Sequence, residues 1–87
     1  MSKEKYNTLF KLVKKTINEW DPIGVLPDAP DDEYEFEVAQ IVTLLNKADT
    51  EEALSEGLAE IFNKALGCHY TVEECLPIAR KIRILTE

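Results

Sequence analysis

Cys68-His69, followed by Cys75, places two thiols and an imidazole within eight residues. These are the side chains that hold soft metals or run nucleophilic catalysis. Structural zinc takes four ligands, usually as two close pairs, and only three stand here. A cysteine and a histidine adjacent in sequence rarely have attack geometry, because nucleophile and base converge from separate elements. The plainer reading is two small buried thiols and a loop histidine. A second group is acidic: Asp28, Asp31, Asp32, Glu33, Glu35 and Glu37. Carboxylates in that density could hold Ca²⁺ or Mg²⁺. The spacing is not that of an EF-hand, which needs D-x-[DN]-x-[DN]-G and a glutamate at its twelfth position. A solvated face at a helix start explains the row more simply. A carboxylate pair near Trp20 could do glycosidase-type acid–base work. With 17 acids in 87 residues some pair always falls close, so that coincidence carries no weight. Gly24, Gly57 and Gly67 are scattered and form no phosphate-cradling loop. No catalytic signature emerges, and no cofactor or metal is expected.

The elements that must position these residues follow from hydrophobic spacing. Tyr6, Leu9, Phe10, Val13, Ile17 and Trp20 recur at three and four, an amphipathic helix that Ser2 can cap. Asp21-Pro22 ends it, since the residue before proline avoids the helical region. Residues 20–37 then hold three prolines and a glycine in the first eleven positions, alongside Trp20, Ile23, Val25 and Leu26. Proline forbids a regular element there, while the apolar residues ask for burial. The expectation is an ordered loop folded back on a core, with Trp20 as its buried anchor.

Val38, Ile41, Val42 and Leu45 mark a second helix starting between Asp31 and Glu35 and ending at Asn46-Lys47-Ala48. Asp49 or Thr50 caps a third, with Leu54, Leu58, Ile61, Phe62 and Ala65 as its stripe and Gly67 as its stop. Gly57 inside it is explained by a close helix crossing. Thr71-Val72-Glu73-Glu74 is a capping-box pattern opening a fourth helix with Cys75, Leu76, Ala79, Ile82 and Leu85. Pro77 should kink that helix. No stretch alternates with period two for long enough to be a strand. The expected fold is one all-α domain over residues 1–87, four helices with a long proline-rich loop between the first two.

Composition bounds the function. An apolar share of 45% and a charged share of 31% belong to a globular chain, not a disordered one. No apolar run approaches a membrane span and no secretory h-region follows Met1, so a cytoplasmic protein with two free thiols is expected. The net charge is −7, unevenly spread. Residues 1–15 carry five lysines against Glu4, whereas residues 16–46 carry eight acids and no base. Nucleic acid is therefore not an expected partner, since phosphates need a basic face.

The blocks Ile17, Trp20-Asp21-Pro22-Ile23-Gly24, Leu26, Ala29-Pro30, Asp32-Glu33-Tyr34-Glu35 and Ile41 resemble the YugE-like family of small cytosolic proteins from Bacillus and related bacteria. The resemblance covers nearly the whole chain, with Phe36 departing from it where proline is expected. It implies a compact helical fold in a bacterial cytosol, and it brings no assigned function and no catalytic residues.

Two function classes remain. One is an acidic interaction module that binds a basic protein through residues 21–37, with Ile23, Asp28, Asp31, Asp32, Glu33, Tyr34 and Glu35 as contact residues. In size, charge and helix content it is analogous to bacterial immunity proteins. Tyr34 would be a half-exposed anchor among the acids, the plainer alternative being that its ring covers the loop prolines. The other class is a small enzyme or accessory subunit using Cys68/His69 or the loop carboxylates. The absence of catalytic spacing favours the first class. The chain is expected to be a monomer or a small homo-oligomer, the latter through Ile78 and Ile84, which lie off the main stripe of the fourth helix.

Overall fold

A computed structural model of the chain describes residues 2–24 and 32–86. Four helices follow one another: α1 (Lys3–Trp20), α2 (Glu35–Leu45), α3 (Glu51–Leu66) and α4 (Val72–Thr86). There is no strand among the described residues, so the all-α expectation holds. The proline-rich loop falls largely on residues 25–31, outside the described residues, together with Val25, Leu26, Asp28 and Asp31.

The helix ends obey local chemistry. Lys5 N–H donates to Ser2 Oγ at 3.1 Å, capping α1, and Ala53 N–H donates to Thr50 Oγ1 at 3.0 Å, capping α3. Glu74 N–H donates to Thr71 Oγ1 and Thr71 N–H donates to Glu74 Oε1, at 3.1 and 3.0 Å, a reciprocal box that starts α4. Gly67 stops α3 at φ +68°, where a side chain would be strained. Tyr34 precedes α2 without a side-chain cap. Helix α4 runs through Pro77 as one element to Thr86.

The helices form a ring: α1 packs on α2 and α4, and α3 packs on α2 and α4. Each sends its apolar stripe to the centre. Leu9, Val13 and Ile17 meet Val38, Ile41 and Val42, then Leu54, Leu58 and Phe62, then Cys75, Ala79 and Ile82. Ser55, fully buried on α3, donates its hydroxyl to the Val72 carbonyl and ties α3 to the start of α4. Where α2 crosses α3, a Cβ on Gly57 would lie 2.1 Å from Leu44 Cδ2, so the glycine marks the close crossing expected from its position. Ile78 packs against the core from the side, while Ile84 is 65% exposed.

Candidate functional site

Among the described residues, Trp20, Asp21, Pro22, Ile23 and Tyr34 meet at one end of the bundle. Asp21 caps α1 in the left-handed region, φ 51°, with its N–H donating to the Ile17 carbonyl at 2.8 Å. Aspartate is among the few side chains that tolerate this conformation. Its carboxylate Oδ1 accepts the Tyr34 hydroxyl at 2.6 Å, and Ile23 N–H lies 3.4 Å from the same phenol oxygen. Tyr70 donates its own hydroxyl to the Pro22 carbonyl at 2.6 Å. Burial pushes the Tyr70 phenol above its ordinary value, which keeps it a proton donor. Asn63 fixes Tyr70 in turn, accepting its N–H at 2.7 Å and donating to its carbonyl at 3.0 Å.

Aromatic rings fill the space beneath these bonds. Trp20 stands edge-on to Phe62 with centroids 5.3 Å apart and lies 5.1 Å from Tyr70. Tyr34 also meets Phe62 edge-on, at 6.4 Å. The result is a clasp: the chain leaves α1 and enters α2 at points tied to each other and to α3 through one aromatic cluster. Trp20 is partly buried and packed on the core, as expected of an anchor.

This geometry corrects the contact reading of Tyr34. The side chain is 1% exposed, so its ring is not offered to a partner. Its hydroxyl satisfies a carboxylate and its ring fills the gap beside Phe62, which is where the apolar area is best spent. The acidic row also divides. Asp32 and Glu33 are exposed in the turn before α2. Glu35 reaches back to Lys14 on α1, 2.7 Å away, which neutralises much of its charge locally. Glu37 is 6% exposed, and burial, aided by the Glu33 charge, pushes its carboxyl above the usual carboxylate range. Ile23 remains 39% exposed.

The two thiols and the histidine differ in their surroundings. Cys75 is fully buried on α4, and burial pushes its thiol up to about 11, so it stays protonated at neutral pH. Cys68 is half-buried and His69 exposed, both in the turn between α3 and α4. No cluster of three metal-binding side chains forms among the described residues.

A family model described as a domain of unknown function, DUF1871, matches residues 11–87. The chain belongs to this family. The matched span contains every member of the clasp, so the arrangement lies wholly within the family domain. No curated protein and no solved structure matches the chain. No helix among the described residues is long and apolar enough to cross a membrane.

Two features escaped the sequence reading. Glu37 looked like one more solvated acid, although it lies one position from Val38 and four from Ile41, close enough to the buried stripe to be drawn under it. Phe36 lies about 200° around the helix from Val38 at 3.6 residues per turn and so faces away from the core. It is 74% exposed. The wheel position was the available signal.

Proposed function

We propose that this protein is an acidic interaction module that engages a basic protein surface through residues 21–37. One observation supports the reading above the rest: exposed Ile23 is tied through its N–H to the Tyr34 hydroxyl, and exposed Asp32 and Glu33 directly precede Tyr34 in the chain. A preformed patch of carboxylates beside an apolar contact steers association and loses little entropy on docking. Asp28 and Asp31 belong to the proposed patch by sequence. Tyr34 serves it from below as a support, and Glu35 contributes little because Lys14 is paired to it. The resemblance to YugE-like proteins of Bacillus and related bacteria sets the proposal in a bacterial cytoplasm.

The test is capture of a partner at two salt concentrations, followed by association kinetics with the purified partner. Reversing Asp31, Asp32 and Glu33 to lysine should slow association about tenfold or more at low salt and flatten its salt dependence. An unchanged on-rate would place the function on another surface.

A further inference from the structure

On the side of the bundle formed by α2 and α3, two depressions of about 410 and 180 Å³ share Gln40, Ile61 and Lys64 and form one trough. Its apolar surfaces are Leu44, Ile61 and the exposed ring of Phe36. Its charged lining is Lys47, Lys64 and a single carboxylate, Glu60. Both lysines are exposed, and neither enters an ion pair among the described residues. In a chain of 17 acids and 10 bases, a trough with two lysines and one glutamate runs against the composition.

We propose that this trough is a docking site for an amphipathic helix of a partner protein, one that carries carboxylates along the flanks of its apolar stripe. The dimensions fit. From Phe36 to Leu44 the trough follows α2 for about 12 Å at 1.5 Å per residue, or roughly two turns of a bound helix, with Lys47 just beyond the end of α2. Apolar residues of the guest at i, i+3, i+4 and i+7 would lie over Phe36, Ile61 and Leu44, and its flanking acids would meet Lys47 and Lys64. The trough is open along its length, unlike small-molecule sites, which enclose most of their ligand. A second copy of this chain is disfavoured. Its four apolar stripes already face its own core, and two chains of net charge −7 repel on approach. The site is separate from the acidic patch of residues 21–37 and selects the opposite charge, so the module could join a basic partner to an acidic one.

The experiment is a selection on the full chain from a displayed library of helical peptides with a fixed apolar stripe and randomised flanks. Backbone amide shifts then locate an enriched peptide on the protein. Expected are Asp and Glu enrichment at the flanks and shifts at Phe36, Gln40, Ile61 and Lys64. Phe36→Ala should weaken the enriched peptide at least tenfold. Lys47→Glu with Lys64→Glu should do the same and turn the selection toward Lys and Arg. All three side chains are exposed, so the far-UV spectra should match that of the unaltered chain. The proposal is overturned if the library yields no binder in the trough, if the flanks show no preference or favour Lys and Arg, or if the shifts map elsewhere. A concentration-dependent dimer abolished by Phe36→Asp would also overturn it, by showing that a second copy fills the trough.

Discussion

Tyr34 and Glu37, three residues apart, show how burial changes what a polar side chain does. The Tyr34 hydroxyl donates to the Asp21 carboxylate, whereas Tyr70 donates to a neutral carbonyl. Bonds to ionised acceptors are the stronger class. Tyr34→Phe should therefore destabilise by about 1.5–3 kcal/mol and Tyr70→Phe by about 0.5–1.5 kcal/mol. Urea denaturation of the two variants would reveal the order, and a larger loss at Tyr70 would show that the charge of Asp21 plays no part. Glu37 shows the opposite effect, since burial raises its folded carboxyl above its unfolded value. The folded state then holds the proton more tightly, so stability from this group is lost as pH rises from about 4.5 through the raised folded value. Glu37→Gln should accordingly raise the denaturation midpoint near neutral pH, with the gap to the unaltered chain closing as pH falls toward 4.5. A gap that widens toward low pH would mean that Glu37 is stabilised, not strained, by its surroundings.

Between elements, the α2–α3 crossing sets two effects against each other. Replacing Gly57 by alanine gains about 1 kcal/mol of helix propensity. The new Cβ collides with the end of the Leu44 side chain, which must shift, and an off-rotamer side chain costs about 0.5–1.5 kcal/mol. The effects nearly cancel, so Gly57→Ala alone should shift stability by less than about 1 kcal/mol. In a Leu44→Ala background the collision is gone, and the same change should stabilise by about 1 kcal/mol. Equal effects in both backgrounds would show that Leu44 does not set the crossing. Three ion pairs also join helices: Lys14–Glu35, Arg80–Glu51 and Lys81–Glu19. The Lys81 ammonium holds the Glu19 carboxyl below its ordinary value. The exposed pairs orient α4 against its neighbours more than they stabilise it, because solvent screens them.

For the molecule as a whole, Trp20 is a side chain that bridges the ring of helices. Its indole touches Phe62 of α3 across the diagonal and Tyr70 beyond it, where the α1 and α3 backbones do not approach each other. Trp20→Ala should remove that bridge and destabilise by about 3 kcal/mol, the lower end for large aromatic truncations because the ring is partly exposed. Native tryptophan emission should be blue-shifted and move to the red on unfolding in one cooperative step with the far-UV signal. Emission that is red and readily quenched in the folded protein would mean the clasp is open in solution.

Helix number, most of each stripe and the caps of α1, α3 and α4 were legible because each depends on groups within about four residues, whereas Ala65 and Leu85 of the expected stripes are exposed and α2 starts without a side-chain cap. Ser2, Thr50, Gly67 and the Thr71–Glu74 box act on their own turns whatever the rest of the chain does. Gly57 was legible too, since a glycine in a helix interior needs a close neighbour to justify it. The fate of the acidic segment was not. Tyr34 and Asp21 are 13 positions apart and Tyr70 and Pro22 are 48 apart, and no local rule couples residues at such distances. Whether Tyr34 faced a partner or the core, and whether Glu37 met water or protein, depended on how α1, α2 and α3 docked. The trough likewise exists only where two helices lie side by side. Local periodicity decides which residues turn inward along a helix, while packing between helices decides which of the remaining polar and aromatic groups keep access to solvent.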